Sequence, residues 1–138
     1  MKTSKEKGVW LDFRKAHIVT VQDGKSTMFS FDSEMEDFNP KGGYGGATPY
    51  GPQDSISESK YLERRKQQSK KYYSQIIDHL KDADSVIILG PGEARVGLTK
   101  AIESNNELKI KLRGVFAEDS MTDNQVMAKV REFYASDN

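Results

Sequence analysis

Cysteine is absent from this 138-residue sequence, which excludes disulfides, thiolate metal sites and a cysteine nucleophile. No apolar run approaches the ~18 residues of a membrane span, and the charged residues 1–7 lack the apolar stretch of a signal peptide. A cytoplasmic protein is therefore the expectation. Because 21 basic residues balance 21 acidic ones, any nucleic-acid-binding role must depend on a local basic patch.

Local patterns in the sequence predict the secondary structure. β-rich runs at 8–13, 16–21 and 26–31 predict three strands, with one tight turn at Arg14-Lys15 and another at Asp23-Gly24. Further along, the apolar periodicity predicts a helix at 58–81, a buried strand at 84–90, a helix at 93–104 and a strand ending near Ala117. Thr122 and Gln125 have the spacing of a capping box and predict a final helix.

The order βββ-loop-α-β-α-β-α predicts one α/β domain. Its mixed sheet should combine an N-terminal antiparallel meander with parallel strands joined by helical crossovers. The domain is expected to cover residues 8–135, after a flexible leader at 1–7. Within it, a Gly/Pro-rich loop at about 38–57 holds three of the four prolines.

This loop and the basic helix that follows it form the candidate site. Four glycines at 42–46 cannot be packed as core, and between residues 60 and 71 six cations face the single Glu63. Such a segment is either a solvated surface of no special role or a site for a polyanion, where a tyrosine stacks on bases and cations meet phosphates. The residues predicted to bind RNA are Lys41, Gly42, Gly43, Tyr44, Gly45, Gly46, Lys60, Arg64, Arg65, Lys66, Lys70 and Lys71.

Other candidate sites have weaker support. The turn at 90–95, Gly-Pro-Gly-Glu-Ala-Arg, lacks the glycine spacing of a P-loop and is interpreted as strand-to-helix geometry. Asp12, Asp84 and Glu118 have no fixed spacing that would indicate a two-metal site. His17 and His79 have no second ligand at a suitable spacing, and packing or capping roles are expected for them.

Several segments carry a family resemblance: SVIILGPGEAR at 85–95, MTDNQ at 121–125 and AKVRE at 128–132. Together with the order of elements, they resemble the middle domain of the class-I peptide release factors of eukaryotes and archaea and of the related rescue factor Pelota. The resemblance extends over residues 8–134 and looks closest to small bacterial relatives. It implies an α/β fold of the ribonuclease H-like, release-factor middle-domain-like class.

In release factors, the loop before the long helix carries a Gly-Gly-Gln tripeptide that places water at the peptidyl-transferase centre. The matching stretch here offers Gly42-Gly43-Tyr44, and Gln53 lies beyond two prolines. The resemblance therefore implies a non-catalytic, ribosome- or tRNA-directed module of the rescue or hibernation type, without stop-codon recognition. Gly42, Gly43, Arg64, Arg65 and Lys66 would face ribosomal RNA. No cofactor, metal, membrane or DNA partner is expected, and a homo-oligomer is left open.

Two alternatives come from other classes of function. One is a metal-dependent hydrolase or nuclease that uses Asp12 and other carboxylates of the sheet on a ribonuclease H-like fold. The other is a protein-interaction domain in which the acidic residues of segment 32–37 pair with the basic helix between subunits.

Overall fold

Five strands and three helices make up the part of the chain that the computed structural model describes, residues 4–36 and 51–136, with the side chains of 51–58 excepted. In chain order they are β1 (Glu6–Leu11), β2 (Lys15–Gln22), β3 (Lys25–Asp32), α1 (Gly51–Asp78), β4 (Ser85–Gly90), α2 (Gly92–Glu103), β5 (Lys111–Ala117) and α3 (Asp123–Ser136). None of the helices in these ranges has an apolar stretch that would cross a lipid bilayer.

The strands form one mixed sheet in the order β3-β2-β1-β4-β5. β1 pairs antiparallel with β2, and β2 pairs antiparallel with β3. β4 joins β1 in parallel, and β5 joins β4 in parallel through the α2 crossover. The predicted fold class, a single α/β domain with an antiparallel meander and parallel strands, is confirmed.

Helices cover both faces of the sheet. Tyr72 and Ile76 of α1 and Leu98 of α2 pack on one face, together with Val9 and Ile88 of the central strands. The other face carries a second apolar cluster, in which Val126, Val130 and Tyr134 of α3 cover strand side chains of β1, β2 and β4, namely Trp10, Val19, Ile87 and Leu89. β4 lies between these two layers and is buried over its whole length, as its uninterrupted apolar sequence predicted.

Local hydrogen bonds set the turns and one helix start. Asp12 Oδ1 accepts the backbone N–H groups of Arg14 and Lys15 at 2.8 and 2.9 Å, and this closes the β1–β2 turn. Asp23 and Gly24 have φ of 57° and 74°, which confirms the predicted two-residue hairpin. The capping box at α3 is also confirmed. Gln125 N–H donates to Thr122 Oγ1 at 3.1 Å, and Thr122 N–H donates to Gln125 Oε1 at 2.9 Å.

Some predicted boundaries were wrong. β1 begins at Glu6, inside the expected leader, whereas β5 (Lys111–Ala117) ends where it was predicted to end. α1 begins at Gly51 instead of residue 58, so residues 51–57 are helix and not loop. The prolines suggested a loop there, but proline is compatible with the first turn of a helix, whose N–H groups have no intrahelical acceptor.

β5 forms one edge of the sheet and is irregular. The register with β4 shifts between Val86 and Ile87, because Val86 pairs with Leu112 whereas Ile87 pairs with Gly114. Arg113 is therefore the extra residue of a β-bulge. Arg113 and the flanking Lys111 are both exposed on this edge strand.

Two lysines converge on one carboxylate beside the start of β1. Lys5 Nζ lies 2.8 Å from Asp82 Oδ2, and Lys7 Nζ lies 2.9 Å from Asp82 Oδ1. The Lys7 residue is only 8% exposed, and its ammonium also donates to the carbonyl oxygen of His79 at 2.7 Å. Hydrogen bonds from Lys5 and Lys7 lower the pKa of Asp82 to about 2. This cluster ties β1 to the segment between α1 and β4.

Asp82→Asn is expected to lower the free energy of unfolding by about 1 kcal/mol at neutral pH, because solvent screens the half-exposed carboxylate. Since the folded-state pKa is below the unfolded value of 3.8, the stabilisation is present above pH 3.8 and is lost as pH falls toward about 2. The free energies of unfolding of the two proteins, measured by urea denaturation, should therefore converge as pH falls from 3.8 toward about 2. Asp78→Asn, which removes an exposed pair with Lys81, is the control with little expected effect. A pH-independent Asp82→Asn difference would contradict this assignment.

Candidate nucleic-acid interface on helix α1

Helix α1 presents cations on the surface that faces away from the sheet. Its 28 residues make it about 42 Å long. Tyr72, Ile76 and Ile77 in its last two turns are buried against the sheet. At about 100° per residue, Lys60 and Lys71 fall on the side that points away from Ile76. The predicted basic helix is therefore present, and its C-terminal part supplies its anchor.

Arg64 is engaged within the chain. Its Nε and Nη2 donate to the two carboxylate oxygens of Glu36 at 3.0 and 3.2 Å. Gln68 joins the same group, because its Nε2 donates to Glu36 Oε2 and its Oε1 accepts the Glu36 N–H, both at 2.8 Å. The hydrogen bond from Arg64 lowers the pKa of Glu36. Glu36, in the acidic segment 32–37, thus pairs with the basic helix of its own chain. The protein-interaction alternative expected this kind of ion pair between two subunits.

Arg65 connects three elements. Its Nη2 donates to Glu93 in the first turn of α2, and its guanidinium carbon lies 5.0 Å from the ring centroid of Phe13 in the β1–β2 turn. A guanidinium over an aromatic ring gains about 0.5–1 kcal/mol at an exposed site. Arg65 therefore joins α1 to α2 and to the hairpin, in addition to any contact with a ligand.

Four lysines complete the basic face: Lys60, Lys66, Lys70 and Lys71, all exposed. Glu63, the acidic residue among them, is exposed and accepts a hydrogen bond from Gln67 at 3.2 Å. The six predicted loop positions at 41–46 lie outside the described residues. RNA contact by any of the predicted residues stays a prediction. The structure divides the cations into two ion-paired arginines and four exposed lysines.

The turn after β4 has the geometric role expected of it. Gly90 has a φ of 141°, and its carbonyl oxygen accepts the Glu118 N–H at 3.2 Å and Arg95 Nη1 at 3.3 Å. Pro91 stands in extended backbone at the N-cap of α2 without a side-chain cap. The Gly-Pro-Gly-Glu-Ala-Arg segment thus joins β4, α2 and the end of β5.

The carboxylates of the hydrolase alternative do not converge. Asp12 follows β1 and Glu118 follows β5, whereas Asp84 precedes β4 and therefore lies at the opposite end of these parallel strands. Asp84 Oδ2 accepts the backbone N–H of Lys5 at 2.7 Å. Within the described ranges, no group of three His, Cys, Asp or Glu residues could hold a metal ion.

Both histidines are packing residues in this structure. His17 is 4% exposed, and its Nδ1 lies 2.6 Å from Ser30 Oγ. Its Nε2 lies 3.5 Å from Asp123 Oδ1 without hydrogen-bond geometry. Burial lowers the pKa of His17, against the smaller opposite effect of Asp123. His79 packs against the rings of Phe29 and Phe31, with centroids at 4.8 and 5.5 Å.

Sequence reasoning missed a groove between α1 and α2, with a volume of about 560 Å³. The helical spacing of Leu62 places it on the same side of α1 as Tyr73 and Ile76, yet it is 53% exposed and lines this groove opposite Val96 of α2. Leu62 lies ten residues before Tyr72, which is the first buried residue among the described side chains of α1. One signal in the sequence could have indicated this groove. Val96 is an apolar residue of α2 that lies outside the buried side formed by Ala94 and Leu98.

Comparison with family models and with curated proteins finds no match. Solved structures are similar in fold. The Pelota protein of Thermoplasma acidophilum aligns with 90% of this chain at 20% sequence identity and a TM-score of 0.51. An archaeal translation termination factor aligns with 91% of the chain at 14% identity and a TM-score of 0.43. The chain spans about a third of these proteins, 31% of the first and 33% of the second. The likeness to the Pelota protein establishes a shared fold.

Proposed function

We propose that this chain is a non-catalytic, translation-factor-like module that binds ribosomal or transfer RNA through helix α1 and the glycine-rich segment before it. Its role would be of the rescue or hibernation type, because the matching stretch carries Gly42-Gly43-Tyr44 in place of Gly-Gly-Gln. Peptidyl-tRNA hydrolysis is not part of the proposal.

Two independent lines support a relation to release-factor middle domains. The first is the sequence resemblance at 85–95, 121–125 and 128–132. The second is the fold shared with the Thermoplasma Pelota protein over 90% of this chain. The most specific segment, 85–95, forms the buried strand β4, the turn at Pro91 and the first residues of α2. This segment therefore supports a shared fold. It does not include the proposed RNA contacts, which would come from α1.

The observation that carries the proposal is the exposed lysine face of α1. Lys60, Lys66, Lys70 and Lys71 are exposed, whereas Arg64 and Arg65 already have carboxylate partners within the chain. Lysines that neutralise phosphates release condensed counterions, so the affinity for RNA falls steeply with salt. A local cationic face on a chain of zero net charge therefore favours a polyanion as partner.

The test is cosedimentation with purified ribosomes and separated subunits at about 50 and 200 mM salt. The variant Lys60→Glu/Lys66→Glu/Lys70→Glu/Lys71→Glu is expected to bind roughly tenfold more weakly or worse, with a shallower salt dependence. Arg64 and Arg65 are left unchanged, because reversing them would break ion pairs and confound binding with stability.

The matched control reverses four exposed lysines elsewhere, Lys15, Lys25, Lys109 and Lys111, with the same change in net charge. This control is expected to bind like the unmodified protein. Equal loss in both variants would indicate a general charge effect, and absence of saturable ribosome binding by the unmodified protein would refute the proposal.

A further inference from the structure

The groove between α1 and α2 is built from one stripe of each helix. Leu62, Lys66, Ser69 and Tyr73 follow one another at helical spacing on α1. Glu93, Val96, Gly97 and Lys100 do the same on α2. The α1 stripe spans twelve residues, or about 16 Å from the first to the last, which corresponds to roughly three helical turns. The groove is therefore long enough for a short helix.

The middle of the groove is apolar. Leu62 is 53% exposed and Val96 is 41% exposed, and they are two of only four large hydrophobic side chains that are exposed in the described part of the chain. A Cβ atom at Gly97 would overlap the Tyr73 hydroxyl and ring, so glycine at this position allows Tyr73 to lie directly against α2. Exposed aliphatic side chains on facing helices are typical of a protein-binding surface.

The rim of the groove is cationic. Arg65 and Glu93 neutralise each other in an ion pair. Lys66 of α1 and Lys100 of α2 are exposed on opposite sides of the groove. The surface thus combines an aliphatic centre with two lysines, which is complementary to apolar side chains flanked by carboxylates.

We infer that this groove is the docking site for an acidic amphipathic helix of a partner protein. The apolar face of such a helix would cover Leu62 and Val96, and its flanking carboxylates would meet Lys66 and Lys100. A stacked nucleobase fits less well. The Phe13 ring has the Arg65 guanidinium over it, and Tyr73 lies against Gly97. Lys66 belongs both to this rim and to the lysine face proposed to bind RNA, whereas Leu62, Val96 and Lys100 belong to the groove alone.

The experiment uses two synthetic peptides of about 12 residues, labelled for fluorescence anisotropy. Both carry leucine at i, i+3, i+4 and i+7. One has glutamate at the other positions and the second has lysine. The glutamate peptide is expected to bind saturably, and Leu62→Ala/Val96→Ala should weaken its binding roughly tenfold. Lys66→Gln/Lys100→Gln should reduce its salt dependence.

Phe29→Ala is the matched control, because Phe29 is 49% exposed on β3, at the far edge of the sheet. It should leave peptide binding unchanged, and thermal unfolding checks that every variant is folded. Leu62→Ala/Val96→Ala should also cosediment with ribosomes like the unmodified protein, which separates the apolar centre of the groove from the lysine face. Binding only of the lysine peptide, no binding of either, or an equal loss with Phe29→Ala would overturn the inference. So would displacement of the glutamate peptide by a single-stranded RNA oligonucleotide whose own affinity falls in Leu62→Ala/Val96→Ala.

Discussion

Gly90→Ala is expected to lower the free energy of unfolding by about 3 kcal/mol. The φ of 141° at Gly90 lies in a region that residues with a side chain rarely adopt. A Cβ atom there would also overlap the carbonyl oxygen of Leu11, at the end of the neighbouring strand β1. Leu11 is fully buried, so its backbone cannot move away without disturbing the core. The backbone strain and the steric overlap therefore add.

Gly92→Ala provides the control two residues further along. No atom lies within 4 Å of a Cβ at Gly92, which is the first residue of α2. Alanine at this position should be neutral or slightly stabilising, because it restricts the unfolded chain. Urea denaturation followed by circular dichroism gives both free energies. Equal stability of the two variants would show that the turn relaxes and that the overlap with Leu11 is not decisive.

Gly8→Ala is expected to cost about 2 kcal/mol, for a different reason. A Cβ atom at Gly8 would overlap the γ-carbons of Val130, where α3 crosses β1, and would come within 3.2 Å of Ile87 Cγ1. The backbone of Gly8 is an ordinary strand, so packing alone opposes a side chain. Valine is branched at Cβ and has few alternative rotamers, so Val130 cannot easily turn away.

A double-mutant cycle isolates this contact. Val130→Ala alone should destabilise by about 2 kcal/mol through a cavity, whereas Gly8→Ala/Val130→Ala should be more stable than the sum of the single effects by about 1 kcal/mol. Gly8→Ala/Val126→Ala is the control cycle, because Val126 is equally buried on α3 one turn away. If the effects on the free energy of unfolding are additive in both cycles, the Gly8–Val130 contact is not specific, and α3 moves as a rigid body over β1 to accommodate the added Cβ atom.

The sequence was sufficient for features whose cause is local. Asp23-Gly24 specifies its turn through the conformations that these two residues tolerate, and Thr122 with Gln125 caps α3 through contacts three residues apart. β4 was recognisable because a strand covered on both faces needs apolar side chains at every position. These elements, taken in order, were enough for the fold class.

The candidate site depends on contacts that are distant in sequence. Arg64 meets Glu36, and Arg65 meets Glu93, each 28 residues away. A count of charges along α1 treats these arginines like the lysines beside them, because the pairing depends on where α2 and the segment after β3 pack against α1. The exposure of Leu62 is hidden from the sequence for a related reason. Helical periodicity shows which side of a helix is apolar, but not where along its length the core ends.

The bulge in β5 bears on how molecules of this protein meet each other. An edge strand offers unpaired backbone groups on which the strand of a second molecule can add, and a long, flat, uncharged edge does so most readily. Arg113 interrupts the regular ladder of β5, and with Lys111 it places positive charge on that edge. The bulge and the exposed cationic side chains make such an edge a poor template for the strand of a second molecule. At the β5 edge the sheet is therefore protected against sheet-to-sheet aggregation at the high local concentrations that a newly made protein encounters.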